Sequence, residues 1–468
     1  MFSYLETSRL LCTALIFPNE SLPLHRFSID TRTLVPGDLF VALKGENSDG
    51  HQFLCQAFEK GASGALIELS QKEAVLDGLK RANVPTRNLI VVQNTQEAMT
   101  ELAAAYRKSL PVKVVGITGS VGKTTTKEFL FYLLRQKYSV LATSGNLNNH
   151  LGVPIMLSRL EASHQFCVLE MGASHPGEIR FLTDLGKPSG GILTPIGPAH
   201  LEGFGSLENV YDTKLELADS LEASDPLVVP DSDEHLLEKI KQKGRRAIMV
   251  GLSARADYRI TDVLAEADRV SFSLNEKGPF SFPGQASFLV LNAALAIAMA
   301  RSLGISWDAL PREWMDVGFA SGRFRETILP NGVRVIDDSY NANPVSFKNA
   351  LATFQGLLKT GRKILVFADM LEMGKDEDRF HRELGEQVAI SGVDLALAFG
   401  KRTRTSIEAI GQRRIGCVAR HFEDPTELLM VLKETLRSGD LVLFKGSRSM
   451  HVEKILAGIK ELSLLSKT

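Results

Sequence analysis

The sequence has few cysteines, no long apolar run and no excess of charge of either sign. Its four cysteines, Cys12, Cys55, Cys167 and Cys417, are far apart in 468 residues and form no CxxC pair. This pattern predicts reduced thiols and excludes a disulfide framework. Lys plus Arg (54) nearly balance Asp plus Glu (55), so nothing points to a nucleic-acid partner or to an acidic disordered chain.

Targeting and membrane segments are also missing from the pattern. The first residues, MFSYLETSRLLCTALIF, lack a basic start followed by a long apolar run, so we expect no signal peptide. No stretch reaches about 18 apolar residues, so we expect no membrane span. We therefore expect a cytoplasmic protein, with a monomer as the default oligomeric state.

Strand-like and helix-like runs alternate along the chain, which predicts an α/β fold. At this length two or three domains are expected, and three regions differ in texture. We predict a small α/β N-terminal domain at 1–109, a central P-loop domain with a parallel sheet at 110–320, and a Rossmann-like C-terminal domain at 321–468. In the third region, polar residues follow the strands, at the edge where open α/β sheets bind ligands.

A phosphate-binding loop is the strongest motif. The segment VVGITGSVGKTTTKEFL (114–130) places Gly-Lys-Thr between a buried strand and a helix. The usual pattern has a glycine five positions before the glycine of Gly-Lys-Thr, whereas Ile117 stands there. The alternative is a glycine-rich turn capped by Thr and Ser at a helix start. The strand and helix on either side favour nucleotide binding over that alternative.

In the nucleotide interpretation, backbone N–H groups of the loop and the helix N-terminus face the phosphates. Lys123 reaches the outer phosphates, and Thr124 offers its hydroxyl to Mg²⁺. The residues expected around the nucleotide phosphates are Gly119, Ser120, Val121, Gly122, Lys123, Thr124 and Thr125.

Three other residues carry weak signals by themselves. Glu170 ends the strand-like run FCVLE and could hold Mg²⁺, although many strands end in an acid. His200 lies in a loop after another strand, where a lone histidine is more often an unremarkable surface residue. Lys214 lies on a helical run and by spacing alone is a solvated helix lysine.

Taken together, the motifs resemble the Mur ligase family, the ATP-dependent amide-forming enzymes of peptidoglycan precursor synthesis. The family loop reads Thr-Gly-Ser/Thr-x-Gly-Lys-Thr/Ser, and residues 118–124 match it throughout. The resemblance covers nearly the whole chain. The segments on which the resemblance rests are DTRTLVPGDLFVAL, GENSDGHQF, GNLNNHLGVP, EMGASHPGEI, IGPAHLEGFGS, DDSYNANP, DMLEMG, FHRELG and KGSRSM.

The resemblance gives the weak residues specific roles. It implies a magnesium site that includes Thr124, Glu170, His200 and Lys214, with Lys214 carried as a carbamate. A neutral lysine amine plus carbon dioxide gives an anionic oxygen ligand suited to Mg²⁺, so the site should depress the pKa of Lys214. Lys123, Lys214 and His200 are the expected catalytic residues.

The resemblance also implies binding residues in all three domains. The nucleotide is expected to meet Asn292, Arg323, Asp338 and Tyr340. The other substrates are expected to meet Asp30, Thr31, Arg32 and His51 in the first domain, Asn148 and Asn149 in the second, and Lys445, Ser447 and Arg448 in the third. The first domain would hold the uridine nucleotide, and the third would close over ATP and bind the incoming dipeptide.

The chain departs from the family pattern at two places. The family often has Gly-x-His-Asn before an Asn-Ala-x-x-Ala helix next to the adenine, whereas this chain has Ala286 and Ser287 at the His-Asn positions. Asn292 and its helix are retained, so we expect an altered contact on the adenine side. Ala368 replaces a usual glycine, and we assign it no physical consequence.

The resemblance implies addition of D-alanyl-D-alanine to UDP-N-acetylmuramoyl-tripeptide, using ATP and Mg²⁺ and passing through an acyl phosphate. Addition of another amino acid, or extension of a folate with glutamate, remains possible, although DGHQF and NANP speak against both. A P-loop ATPase that drives conformational change, and a nucleotide-binding scaffold without turnover, are the alternatives from other classes.

Overall fold

Three β-sheets, one after another along the chain, organise the fold. The structure is a computed structural model and describes residues 2–19, 22, 24–46, 48–266, 268–315, 317–319, 321–413 and 416–465. The α/β prediction is confirmed. The domain boundaries stay predictions, and the one at residue 320 lies outside the described residues.

The N-terminal sheet has five strands in the order β1-β5-β4-β3-β2, parallel except for β1. Its elements are α1 (Tyr4–Leu10), β1 (Ala14–Ile16), β2 (Phe27–Ser28), β3 (Leu39–Val41), α2 (Leu54–Glu59), β4 (Gly64–Glu68), α3 (Lys72–Arg81), β5 (Leu89–Val92) and α4 (Thr95–Lys108). Helix α4 begins at Asn94, whose side chain accepts the N–H groups of Gln96 and Glu97. Its apolar face then packs towards the central domain, where Tyr106 donates to the carbonyl of Leu160.

The central sheet has nine strands in the order β14-β13-β12-β11-β10-β9-β6-β8-β7. Its first elements are β6 (Lys113–Thr118), α5 (Lys123–Arg135), β7 (Val140–Ala142), α6 (Gly152–Ser158), β8 (Phe166–Glu170), α7 (Glu178–Gly186), β9 (Gly191–Leu193), α8 (Leu201–Phe204) and α9 (Leu207–Asp219). They are followed by β10 (Leu227–Pro230), α10 (Glu234–Gln242), β11 (Ile248–Gly251), β12 (Tyr258–Ala265), β13 (Arg269–Leu274), β14 (Lys277–Pro283) and α11 (Leu289–Ser302).

The central sheet is only partly the parallel sheet that we predicted. Strands β7 to β12 are parallel, but β12, β13 and β14 form an antiparallel extension. Strand β13 alternates buried residues with partly or fully exposed ones, as a strand with one solvated face does. The parallel core sets the register of the site: Ile117 pairs with Glu170 and Thr118 with Leu193, so β6, β8 and β9 end at one edge.

The C-terminal sheet has six strands in the order β15-β16-β20-β17-β18-β19, with only β15 antiparallel. Its elements are β15 (Arg325–Ile328), β16 (Arg334–Asp338), α12 (Pro344–Gly356), β17 (Lys363–Ala368), α13 (Glu377–Ile390), β18 (Leu395–Phe399), α14 (Thr403–Arg413), β19 (Val418–Phe422), α15 (Pro425–Thr435), β20 (Leu441–Lys445) and α16 (Val452–Leu465). Asp338 and Lys445 are register partners at the carboxyl ends of β16 and β20. Within the described residues, none of the helices has the length and apolar character that crossing a bilayer requires.

Candidate active site

The glycine loop between β6 and α5 is shaped by two left-handed glycines. Gly119 has φ 145°, and a Cβ there would lie 2.1 Å from the Thr194 Oγ1. Gly122 has φ 90°, and its Cβ would lie 2.1 Å from the Nδ2 of Asn292. Both positions therefore need glycine for conformation and for space. This explains why the loop tolerates Ile117 at the usual glycine position: Ile117 is still inside the buried strand.

The loop is fastened to the segment after β9. The backbone N–H groups of Ser120 and Val121 both donate to the carbonyl of Pro195, at 3.0 and 3.2 Å. The hydroxyl of Ser120 donates to the carbonyl of Gly197 at 2.9 Å. No side chain caps α5, so the N–H groups of its first turn are free to point at an anion, which the helix dipole also favours.

Lys123 begins α5 and folds back over the loop. Its Nζ donates to the carbonyl of Gly119 at 2.7 Å. Desolvation by the surrounding protein lowers the pKa of Lys123 to about 8, with Glu170 acting in the opposite direction and Arg323 in the same one. The positive charge of Lys123 is therefore less stable than that of an exposed lysine, and a bound anion would stabilise it.

A cavity of about 410 Å³ opens over this loop, between the central and C-terminal domains. Most of the predicted site residues line it. They are Ser120, Val121, Gly122, Lys123, Thr124, Thr125, Asn148, Asn149, Glu170, His200, Asn292, Arg323, Asp338, Tyr340, Lys445 and Arg448.

Glu170 presents a carboxylate oxygen that lacks a partner. Its Oε1 accepts the side-chain amide of Asn148 at 2.7 Å, and its backbone N–H donates to the Thr143 hydroxyl at 2.9 Å. The Oε2 is buried and has no hydrogen-bond partner in the described part of the chain. A buried carboxylate oxygen without a donor is costly, and a divalent cation in the cavity would satisfy it.

Glu170 does not belong to a larger group of metal-ligating side chains in the described part of the chain. Across the described residues, no three His, Cys, Asp or Glu side chains converge into a group that could hold a metal ion. A cation at Glu170 would therefore depend on other oxygens, such as the Thr124 hydroxyl and the phosphates of a nucleotide. The residues present fit Mg²⁺ bound together with a nucleotide better than a permanently held ion.

His200 lies where the central domain meets the C-terminal domain. Its backbone is left-handed, with φ 52°, immediately before α8. Its Nδ1 contacts the Oε2 of Glu372, a residue of the C-terminal domain. The hydrogen bond from His200 lowers the pKa of Glu372, although desolvation opposes the shift.

Lys214 is buried on α9 and contacts Ala173, a residue of the cavity lining. Only 2% of the residue is exposed, and its Nζ donates to the carbonyl of Ala173 at 3.2 Å. The same Nζ lies 5.2 Å from the ring centroid of Phe204. Burial, together with the charge of Lys123, holds the pKa of Lys214 well below its usual value, so the neutral amine is favoured.

The C-terminal domain supplies cations to the same cavity. The guanidinium of Arg323 lies 4.0 Å from the ring centroid of Tyr340 and donates to the hydroxyl of Thr124 at 3.3 Å. Lys445 and Asp338 form a buried ion pair at 2.6 Å. Burial raises the pKa of Asp338, while the Lys445 ammonium acts in the opposite direction.

The side chain of Asn292 holds the glycine loop in place through two hydrogen bonds. Its Nδ2 donates to the Gly122 carbonyl at 3.3 Å and to the Thr126 hydroxyl at 3.0 Å. Ala286, at the departure from the family pattern, is buried, and Phe288 lines the cavity nearby. The cavity wall that follows these two positions is apolar and includes Phe288, Leu289 and Leu291.

Several predicted residues lie outside this cavity. Gly119 and Lys214 do not line it, and Ser447 lines an adjoining cavity of about 340 Å³. Both ring nitrogens of His51 are bonded inside the N-terminal domain, Nδ1 to Asp49 and Nε2 to the N–H of Glu68. This favours a role for His51 in shaping its loop over direct contact with a ligand.

The other three N-terminal residues also lie apart from the cavity. Arg32 forms a two-pronged ion pair with Asp30, and the Thr31 hydroxyl donates to the side chain of Gln56 at 2.6 Å. The structure therefore leaves the substrate roles of Asp30, Thr31 and Arg32 as predictions.

Sequence reasoning did not single out two acidic residues of the site. Glu178 lines the cavity, and Glu372 meets His200 from the other domain. Both stand in segments that carried the family resemblance, EMGASHPGEI and DMLEMG, so those segments were the available signal.

The fold and the cavity define a class: a P-loop nucleotide-binding protein in which a second α/β domain covers the phosphate loop. Family models match the chain in three parts. The Mur ligase family catalytic domain matches residues 23–107, the Mur ligase middle domain 117–300, and the Mur ligase glutamate ligase domain 322–448.

Known proteins resemble the chain over nearly its whole length. The UDP-N-acetylmuramoyl-tripeptide–D-alanyl-D-alanine ligase of Bacillus subtilis (strain 168) is 33% identical over 447 residues, which are 95% of each chain. The crystal structure of MurF from Acinetobacter baumannii has a TM-score of 0.83 and 28% identity, covering 98% of this chain and 99% of that one. MurF ligase from Thermotoga maritima, solved in complex with ADP, has a TM-score of 0.76 and 28% identity, covering 96% and 100%. The chain belongs to the Mur ligase family.

Proposed function

We propose that this protein joins D-alanyl-D-alanine to UDP-N-acetylmuramoyl-tripeptide at the expense of ATP, in peptidoglycan precursor synthesis. The products are UDP-N-acetylmuramoyl-pentapeptide, ADP and phosphate. The observation that carries the proposal is the single cavity in which the glycine loop, Glu170 and His200 of the central domain face Arg323 and Lys445 of the C-terminal domain.

The reaction has two steps. An oxygen of the tripeptide carboxylate attacks the γ-phosphorus of ATP, which gives an acyl phosphate and releases ADP. The amine of D-alanyl-D-alanine then attacks the acyl carbon, loses a proton, and expels phosphate as the amide forms. The first step gathers negative charge near Lys123 and Arg323, and fixed cations there stabilise the transition state.

Mg²⁺ would be held by Glu170 and His200, with Thr124 contributing its hydroxyl. When bound, the ion would act as a Lewis acid on the phosphoryl oxygens. The unpartnered Oε2 of Glu170 supports this assignment. Asn148 holds the other oxygen of Glu170, which orients the carboxylate towards the cavity.

Lys214 is carried as a carbamate in this proposal. A buried neutral amine is the form that reacts with carbon dioxide, and the lowered pKa of Lys214 supplies it. The carbamate would replace an enclosed amine by an anionic group near Lys123, whose positive charge at present disfavours protonation of Lys214.

The remaining assignments follow the same scheme. The N-terminal domain holds the uridine nucleotide, and the C-terminal domain closes over ATP and takes the dipeptide. Closure excludes water, which would otherwise hydrolyse the acyl phosphate. We further propose that the protein is a cytoplasmic monomer and that nucleic acid is not among its partners.

Phosphate release from Mg-ATP tests the proposal. The purified protein is assayed with UDP-N-acetylmuramoyl-tripeptide alone, D-alanyl-D-alanine alone, and both together. We expect sustained release only with both. Release with neither substrate would indicate a P-loop ATPase, and no release with both would indicate a ligase of different specificity.

A further inference from the structure

Glu372 contacts the His200 segment twice from the other domain. Its carboxylate Oε2 meets the Nδ1 of His200, and its backbone carbonyl accepts the N–H of Glu202 at 3.1 Å. The Glu372 loop, defined here as residues 371–374, thereby joins the C-terminal domain to the start of α8.

The Glu372 loop is held firmly within its own domain. The N–H of Leu371 donates to the hydroxyl of Ser447 at 2.9 Å, and the N–H of Met370 donates to the Nε2 of buried His381 at 3.1 Å. Met373 is only 2% exposed. Because Met370 and Leu371 anchor the loop to the C-terminal domain, Glu372 meets His200 across the contact between the two domains.

The contact fixes which nitrogen of His200 carries the proton. An ionised carboxylate only accepts hydrogen bonds, so the Nδ1 of a neutral His200 must be the donor. The other nitrogen, Nε2, then holds a lone pair and has no hydrogen-bond partner among the described residues. His200 lines the cavity, so this lone pair is available to a cation there.

We propose that Glu372 is a positioning residue, which sets the tautomer of His200 from the C-terminal domain and so completes the cation site only in the docked arrangement. A carboxylate that orients a ligating histidine is a recurrent device of metal sites. The inference rests on the proposed function through the role of His200. It adds that domain docking and cation binding depend on each other.

A surface ion pair without consequence is the alternative interpretation. The side chains of His200 and Glu372 are 37% and 56% exposed, and such pairs contribute little to stability. Exposure also means that variants at Glu372 should fold normally. A matched control is Glu423, an 84% exposed carboxylate of the same domain that pairs with Arg404 at 2.8 Å.

The experiment compares wild type, Glu372→Ala, Glu372→Gln and Glu423→Ala. Long-range ¹⁵N–¹H spectra of histidine-labelled protein, at one fixed pH of about 8 where an ordinary imidazole is neutral, report the tautomer of His200. Its signals are assigned with a His200→Gln protein. The Mg²⁺ dependence of binding of a non-hydrolysable ATP analogue is measured alongside.

We expect Nδ1–H in wild type and in Glu423→Ala, and loss of that tautomer in Glu372→Ala. Apparent Mg²⁺ affinity should fall about tenfold to a hundredfold in Glu372→Ala, and less in Glu372→Gln, whose amide oxygen still accepts. Unchanged tautomer, or unchanged Mg²⁺ dependence, in Glu372→Ala would overturn the proposal. The spectra need no turnover, so absence of dipeptide-dependent phosphate release would count against the function alone.

Discussion

Gly122→Ala perturbs the glycine loop at one defined atom. The backbone there has φ 90°, and the added Cβ would lie 2.1 Å from the Nδ2 of Asn292. Asn292 is buried on α11 and cannot stay in place beside that methyl group. It must turn away from the loop and lose its bonds to Gly122 and Thr126.

The expected destabilisation follows from these contacts. A non-glycine residue in the left-handed region costs about 1–2 kcal/mol. Each lost hydrogen bond costs roughly 1 kcal/mol, so the total is about 3–4 kcal/mol. Gly244→Ala is the matched control, because Gly244 has φ 66° with nothing within 4 Å of the added Cβ. It should lose only the backbone contribution, about 1–2 kcal/mol.

Urea unfolding followed by tryptophan fluorescence measures both values. The chain has two tryptophans; Trp314 is buried, with its ring 5.1 Å from that of Phe129 on α5. Fluorescence therefore reports on the helix that the variant disturbs. Gly122→Ala should also weaken ADP binding, whereas Gly244→Ala should not. Equal loss of stability in the two variants would refute the account of the clash with Asn292.

Two other predictions concern the lysines of the site. ADP affinity should be nearly constant below pH 8 and fall towards tenfold per pH unit above it, because bound phosphates need the Lys123 ammonium and its pKa in the free protein is about 8. Calorimetry of ADP binding across this range checks the slope, which Lys123→Met should flatten. Lys214→Ala should abolish ligation and regain part of it with a short-chain carboxylic acid, and full turnover without the additive would show that no carbamate is needed.

The parts of the fold that sequence could predict are those in which one short segment carries the whole signal. Strand β6 is buried from Val114 to Thr118, so its unbroken apolar run is visible without knowing its neighbours. The antiparallel extension was missed, because β12 is mostly exposed and lacks regular alternation. Such a strand forms because it pairs with a neighbouring strand, and the periodicity of its own sequence does not predict that pairing.

The residues of the site also divide into those that a local motif predicts and those that it does not. Lys123 and Thr124 are fixed by a contiguous motif, so the sequence places them on a helix start. Lys214 is indistinguishable by spacing from a solvated lysine, and its burial comes from tertiary packing, with Ala173 and Phe204 beside its Nζ. Glu372 lies 172 residues from His200, and the two meet through domain docking, which no local pattern encodes.

The charged residues around the cavity affect one another's pKa values. Burial lowers the pKa of both Lys123 and Lys214. A neighbouring cation adds to each shift, Arg323 for Lys123 and Lys123 for Lys214, while Glu170 opposes the shift of Lys123. Lys123 and Arg323 repel each other in the empty cavity, and this repulsion raises its free energy. A polyphosphate and an anionic carbamate would each offset that repulsion, and their negative charge would raise the pKa of Lys123. We therefore propose that the loop, the buried lysine and the covering domain act as one anion receptor, in which nucleotide binding, the charge on Lys123 and the approach of Arg323 are coupled.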